Sequence, residues 1–315
     1  MTVDPAQHLG EAGVLCVAEL GSRADLRDDF AAAGHRNFGE TLHRFLDPLS
    51  SQQLAAQLPQ LSSDVGPAAN LVWQSRDEHS LEPRTLCNAL TAACRAEGVE
   101  IHEHERVTGL TFSATHITAE TTRIPHHAAQ VVITAGAWSA EISRELDAVV
   151  PRRGHMLVLE DPHVPQLDKV VRAPGIYIVP RGDGRLLVGS TVENAGFDVT
   201  LQPPTLDALH LAAAHLLPEL AKAARLDAWA GLRPGTPDGL PILGALETQQ
   251  SGPKRLFAAT GHFRNGILLA PATAHILAQL LHGEPPAVAI ENFSPARFSP
   301  ASPTSGGDNS LLATL

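Results

Sequence analysis

The chain is poor in cysteine. Its 315 residues hold 3 of them, Cys16, Cys87 and Cys94. That is too few for a disulfide-stapled scaffold, and none falls in a CxxC or Cys/His spacing that would hold zinc. A reducing, cytoplasmic setting is expected. Positive charge is also short, with 23 Lys+Arg against 34 Asp+Glu and a formal net charge of -11. Nothing gathers enough cations to neutralise a run of phosphates, so nucleic acid is excluded as a partner. The opening MTVDPAQHLGEAG puts acid and proline where an export signal needs basic and then apolar residues. The longest apolar stretch, GILLAPATAHILAQLL (266 to 281), contains Pro271 and His275 and falls short of the roughly 20 residues that cross a bilayer. A core helix is expected there, and no membrane partner. A GxSxG nucleophile elbow and an HExxH zinc helix are both absent. The densest histidine clusters, HEH (102 to 104) and HH (126 to 127), lie in or beside expected exposed strands, and no metal is expected from them.

What is present is a chain with 43% apolar and 18% charged residues, long enough to bury a sizeable core in one large domain or two interleaved ones. Residues 20 to 60 read as loosely amphipathic helix with Leu42, Phe45 and Leu49 on one side, and QLPQLSSDVGPAAN as a connection. Leu86, Leu90, Ala93 and Cys94 fall at helical spacing before Gly98, which predicts a helix from Pro83 to Glu97 with its cysteines as core filler. VEIHEHERVTGLTFSATHITAETTRI alternates as paired strands do, and AAQVVITAGAW is a short apolar run ending in small residues. GHMLVLE, IYIVP and RLLVGST predict three strands of an antiparallel sheet, with PRGDGR as a tight turn. Residues 205 to 224 predict a helix capped by Thr205, with Pro218 late in the pattern. DAWAGLRPGTPDGLPILG is dense in proline and glycine, and RLFAATGHFRNGILLAPATAHILAQLLHG reads as strand, glycine turn and helix. After Asn292 the tail is Ser/Pro/Gly-rich and is expected to be unpacked at its end.

Two arginines sit in glycine-rich contexts, Arg233 in GLRPGT and Arg264 in GHFRNGI, and the only tyrosine, Tyr177, lies on an expected strand. Guanidinium forks bind carboxylates bidentately, and a phenol adds one oriented hydrogen bond. Together they suit a small carboxylic acid. Taken singly, each arginine is as well explained by a surface ion pair or a capped carbonyl.

With these residues in hand, the chain resembles the FAD-dependent amino-acid oxidases of the D-amino-acid oxidase superfamily, and among them the glycine oxidases of thiamine biosynthesis. GIYIVPRGDGRLLVGST, WAGLRPGTPDGLPILG, LFAATGHFRNGILLAPATA and VVITAGAWS carry the likeness, with SLEPRTLCNAL and FSPARF as further landmarks. The resemblance implies an α/β fold in which an FAD-binding domain of the glutathione-reductase-like type interleaves with an antiparallel-sheet substrate domain. The cofactor domain is expected over 1–28, 78–150 and 225–292, the substrate domain over 29–77 and 151–224, and a tail over 293–315. It implies that Tyr177 and Arg233 bind the substrate carboxylate, with Arg264 near flavin and substrate. Gly13 and Val14 match a segment running alongside the flavin ring. Val107 matches the adenine end, and Ala135, Gly136, Ala137 and Trp138 match a turn beneath the cofactor. Gly261, His262, Asn265, Gly266 and Ile267 match the turn that embraces the ring.

The implied chemistry is hydride transfer from the substrate's alpha carbon to FAD. An imino acid is released and hydrolysed, and oxygen is reduced to hydrogen peroxide. The implied partners are a small amino acid or amine and oxygen, and self-association into a homo-oligomer stays open. The sequence departs from the family at two points: it has no GxGxxG turn with a following acidic residue for the ribose, and its region from 25 to 75 is shorter than the family's. HLGEAGVLCVAEL resembles the segment just after that unit. Two explanations stand: a start placed too far downstream in a complete oxidase, or a fragment that has lost its pyrophosphate cradle. In the second case the chain is a flavin-free remnant that binds a carboxylate or a partner.

Overall fold

Burial pattern decides most of this chain's architecture. The computed structural model describes residues 14–18, 46–62, 71–75, 80–160, 167–173, 175–247 and 255–298. In chain order come β1 (Val14–Ala18), β2 (Leu46–Pro48), α1 (Ser51–Gln57), β3 (Leu71–Ser75) and α2 (Pro83–Ala96). Then follow β4 (Val107–Phe112), β5 (Ile117–Thr121), β6 (His126–Ala128), β7 (Val131–Ile133), α3 (Ser139–Ile142) and β8 (Val150–Glu160). β9 (Val170–Ala173), β10 (Ile176–Pro180), β11 (Arg185–Gly189) and α4 (Pro203–Leu216) come next. The last elements are β12 (Ala224–Gly235), β13 (Ile242–Ala245), β14 (Leu256–Thr260) and α5 (Gly266–Leu281).

The strands form an eight-stranded sheet in the order β12-β8-β11-β10-β9-β1-β3-β2 and two three-stranded sheets, β13-β14-β7 and β4-β5-β6. The first is antiparallel at β8, β11, β10 and β9 and turns parallel where β9 meets β1. The contacts divide the chain into two units. One is Met1–Glu97, Arg153–Glu193 and Asp198–Gly231; the other is Gly98–Arg152, Asn194–Phe197 and Leu232–Leu315. This is the mixed α/β architecture with an antiparallel sheet that the resemblance implied.

In the first unit, Leu157, Leu159, Ile178 and Val188 on the sheet bury against Leu54 of α1 and Leu209, Ala213 and Leu216 of α4. Each such Val, Leu or Ile side chain contributes about 1.5–3 kcal/mol by leaving water. α1 starts on a capping box: the Ser50 hydroxyl accepts from the Gln53 amide at 3.3 Å, and Gln53 Oε1 accepts from the Ser50 amide at 2.9 Å. α4 begins at Pro203 rather than under Thr205, because two prolines occupy its first positions, where a missing N–H costs nothing. Pro218 then stops it and opens a 3₁₀ turn, Pro218–Lys222.

Three other expectations change. α2 ends beside Gly98 (φ +79) as the glycine signal requires, but none of its residues is buried, so Cys87 and Cys94 are exposed and not core filler. The amphipathic stripe is there, yet the described residues lay no apolar layer against it. α5 likewise buries only Ile276 and leaves Ile267 and Leu268 exposed, so it is not the fully buried core helix its composition suggests. The expected helix over 20–60 lies partly outside the described residues; the described part holds β2 and the seven residues of α1. The tail after Asn292 is packed through Phe298, and its end, where the unpacked stretch is expected, lies outside the described residues. Pro295 is buried, and Arg297 pairs with Asp238 at 2.7 Å.

Candidate functional site

In the second unit, β7 and β14 run parallel, with Leu256 beside Val131 and Ala258 beside Ile133. Their carboxyl ends therefore lie side by side, the place where open α/β sheets take ligands. Each strand ends in a glycine turn that leads into a helix. After β7 the chain makes a 3₁₀ turn, Gly136–Trp138, and then α3. After β14 it passes through Gly261 to α5.

Three groups lock the two turns together. Ser139 Oγ donates to the Gly136 carbonyl at 2.7 Å and contacts Thr260 Oγ1 at 2.9 Å. Thr260 Oγ1 in turn donates to the same carbonyl at 3.1 Å. Ser139 and Thr260 are both buried, so each hydroxyl must find its partner here. Gly261, at φ +75, has no room for a side chain: a Cβ would meet Thr236 Cγ2 at 2.8 Å. α5 starts at Asn265 without a side-chain cap, which leaves its first amides for water or a ligand.

The turn beneath β7 borders a cavity of about 380 Å³ lined by Arg106, Val107, Ala135, Trp138, Glu141 and Ile142. Arg106 forms an ion pair with Glu141 at its edge. Val107, Ala135 and Trp138, singled out separately in the sequence, thus share one cavity, and the indole of Trp138 lies 5.6 Å from the Phe197 ring. An added Cβ on Gly136 would meet nothing within 4 Å.

Arg233 lies on β12, within a continuous strand that runs through Gly235, not in the loop its glycines and prolines suggest. β12 neighbours β8 in the sheet, and the ladder outweighs the local punctuation. The amide of Phe263 donates to the Pro234 carbonyl at 2.9 Å. This bond ties the chain next to Arg233 to the turn that carries Arg264, which is exposed. His262 Nε2 meets Thr273 Oγ1 at 3.0 Å, and burial pushes its pKa down. Asn265, Gly266 and Ile267 form the entry to α5.

Tyr177 belongs to the first unit, while Arg233 and Arg264 belong to the second. Tyr177 stands on β10, and its hydroxyl donates to Met156 Sδ at 3.3 Å. Gly13 lies outside the described residues. Val14 opens β1, between β9 and β3.

Sequence reasoning missed a partly buried ion network in the first unit, with Arg153 and His155 buried and Asp198 exposed. Arg153 sends Nε and Nη2 to Glu193 Oε2 at 3.1 and 2.7 Å, and Nη1 to Asp198 Oδ2 at 2.8 Å. His155 Nε2 accepts from the Gln202 amide at 3.2 Å, so its ring hydrogen is on Nδ1, which donates to Glu193 Oε1 at 2.8 Å. Burial pushes the Glu193 carboxyl up, but hydrogen bonds from Thr191, Arg153 and His155 outweigh it and hold the pKa at about 2. Nothing in the sequence pairs residues so far apart. The Ser139 and Thr260 hydroxyls were legible as the ends of GAWS and AAT, but not as partners. A larger cavity of about 470 Å³ in the first unit includes Arg84, Arg185, Asp227 and Trp229 in its lining and no residue singled out from the sequence.

Among known proteins, the family model for FAD dependent oxidoreductases, abbreviated DAO, matches residues 5–280. The glycine oxidase of Pseudomonas aeruginosa is 36% identical over 234 residues, covering 73% of this chain and 62% of its own length. That of Pseudomonas putida is 34% identical over 261 residues, covering 80% of this chain and 68% of its own. Among solved structures, glycine oxidase from Geobacillus kaustophilus superposes with a TM-score of 0.80 at 29% identity, covering 92% of this chain and 76% of that one. The chain thus spans about three fifths of the Pseudomonas aeruginosa relative. With the family model spanning most of its length, the chain belongs to the DAO family of FAD dependent oxidoreductases.

Proposed function

We propose that this protein oxidises glycine or another small amino acid with FAD, giving an imino acid that water converts to a keto acid and ammonia, while oxygen is reduced to hydrogen peroxide. The observation that carries the reading is the pair of parallel strand ends, β7 and β14, whose glycine turns are locked by Ser139, Thr260 and the Gly136 carbonyl. The relatives support it: both Pseudomonas proteins are glycine oxidases by name. A role in thiamine biosynthesis and a cytoplasmic setting follow the same resemblance. By that reading the cofactor domain comprises 1–28, 78–150 and 225–292, and the substrate domain 29–77 and 151–224.

The residues present fit part of the cofactor. The cavity at Val107, Ala135 and Trp138 suits a flat, largely apolar group, and the space over Gly136 is open. The pyrophosphate cradle is not among them, since the sequence contains no GxGxxG. When bound, FAD supplies the two-electron acceptor for hydride leaving the substrate's alpha carbon.

The chain's own residues have the remaining tasks. The Arg233 guanidinium holds the substrate carboxylate and the Tyr177 hydroxyl adds an oriented hydrogen bond, which fixes the alpha carbon. Arg264 adds positive charge nearby. The uncapped amides at Gly266 and Ile267 offer partial positive charge at the start of α5. Ala135, Gly136 and Trp138 form the floor, with Gly261, His262 and Asn265 along the cofactor's edge. The substrate reacts from the fraction whose amine has already given its proton to solvent water, and that neutral amine can release hydride without a protein base.

The test is direct. The purified protein, after addition of FAD, should show bound flavin absorbance that bleaches with glycine under anaerobic conditions, and it should release peroxide in air. A colourless protein that still binds glycine would instead favour the flavin-free carboxylate-binding reading, which the missing GxGxxG motivates.

A further inference from the structure

We infer that His102, Glu105 and His126 form a binding site for one divalent transition-metal ion of the zinc class on the β4-β5-β6 sheet. The three offer ligand atoms that all lie within 4.8 Å of one another. Their chain order hides this, because His102 and Glu105 precede β4 while His126 opens β6, 21 residues after the carboxylate.

The two oxygens of Glu105 differ in their surroundings. Oε1 accepts from Thr121 Oγ1 at 2.6 Å, from His126 Nε2 at 2.9 Å and, at 3.4 Å, from the Ile124 amide. Among the described residues no hydrogen bond reaches Oε2. The nearest ring nitrogen, His102 Nδ1, stands 3.7 Å away, too far for a hydrogen bond. It is close to the ~3.4 Å that separates two ligands of one tetrahedral ion bound at about 2.1 Å. The Glu105 side chain is only 4% exposed, whereas His102 and His126 are partly open at 46% and 36%. The carboxylate is thus fixed by the protein, and the two imidazoles can adjust around an entering ion.

The outer contacts follow the pattern of metal-bound histidines, which hand their second nitrogen to an oxygen acceptor. The other nitrogen of His102, Nε2, lies 3.5 Å from Glu100 Oε2. The two rings lie 4.7 Å apart between centroids, as neighbours on one ion would. A plain ion pair between Glu105 and His126 accounts for the 2.9 Å contact but not for the approach of His102 Nδ1 to the second oxygen. Two imidazoles and one carboxylate, with a water completing the shell, suit Zn²⁺ and its spectroscopic surrogate Co²⁺. The ion would staple the segment before β4 to β6. On the opposite face of the same sheet, His116 and His127 lie 5.1 Å apart edge to face, and His127 Nδ1 is bonded to Thr118 Oγ1 at 2.8 Å. That pair lacks a carboxylate.

The test is calorimetric titration of the chelator-treated full chain with Zn²⁺, alongside visible spectra of the Co²⁺-loaded protein. We expect one tight equivalent, a raised thermal midpoint with metal, and the d–d bands of a four-coordinate site. His102→Ala, a change at a half-exposed position that leaves the core intact, should weaken that equivalent by more than a hundredfold, and Glu105→Gln should do the same. Glu100→Gln should weaken it by about tenfold, the low end for an outer-shell group. His116→Ala should leave it unchanged. Failure to find a tight equivalent in the parent chain, or its survival in His102→Ala, overturns the assignment. Because Zn²⁺ uptake is read without FAD, this outcome is independent of oxidase activity.

Discussion

Tyr177 and Gly189 face one another across β10 and β11, and the missing side chain of Gly189 is what lets the Tyr177 ring and the Met156 thioether close over it. A Cβ at that position would stand 2.4 Å from Met156 Sδ and 2.9 Å from Tyr177 Cζ. Met156 can swing aside, but the phenol ring, fixed on its strand, cannot without moving its hydroxyl. Gly189→Ala should therefore cost about 1–3 kcal/mol by overpacking, read as a lower urea midpoint. It should also raise the KM for glycine more than it lowers kcat.

Arg233→Ala should raise the substrate KM steeply in an FAD-loaded form, while Tyr177→Phe, which removes one hydrogen bond, should cost less. Steady-state kinetics with glycine separate the two. Unchanged kinetics in Arg233→Ala would remove the carboxylate role from that residue.

Ser139→Ala leaves the Thr260 hydroxyl with one partner in place of two in a buried setting. It should destabilise the second unit by about 1–2 kcal/mol and weaken FAD retention. Thermal melts and the flavin content of the purified protein report each effect.

The Glu193 carboxyl, held at about 2 in the folded protein against an ordinary value of 4.5, makes stability depend on acid. With the folded pKa below the unfolded one, the unfolded chain binds the proton first. The contribution is therefore complete above about pH 4.5 and fades as pH falls toward 2. Urea midpoints measured between pH 6 and 2.5 should drop through that window. Glu193→Gln should flatten the slope and lower the midpoint at neutral pH, because Arg153 bonds Oε2 and His155 bonds Oε1, and an amide keeps only one oxygen and no charge.

Two leucines on α4 separate burial from composition. Leu216 is 4% exposed in the core and Leu211 is 73% exposed. Leu216→Ala should cost about 2–5 kcal/mol through lost transfer energy and the cavity left behind. Leu211→Ala should stay within about 0.5 kcal/mol. Chemical denaturation of the two variants checks the contrast.

The family and the order of most elements were legible in the sequence, because their signals are local. VVITAGAW reads as strand and glycine turn, and LFAATGHFRNGI as strand, glycine turn and helix entry, from adjacent residues alone, and Gly98 marks the end of α2 by a backbone preference that needs no partner. Burial is not local. α2 carries a sound amphipathic stripe and buries nothing, and Arg233 sits in a strand despite its glycines because β8 offers it a ladder. The tertiary structure alone decided which distant groups meet: Ser139 with Thr260, Arg153 and His155 with Glu193, and His102 with Glu105 and His126. Such pairings depend on strand register and chain reversal, which set distances that no spacing along the chain encodes.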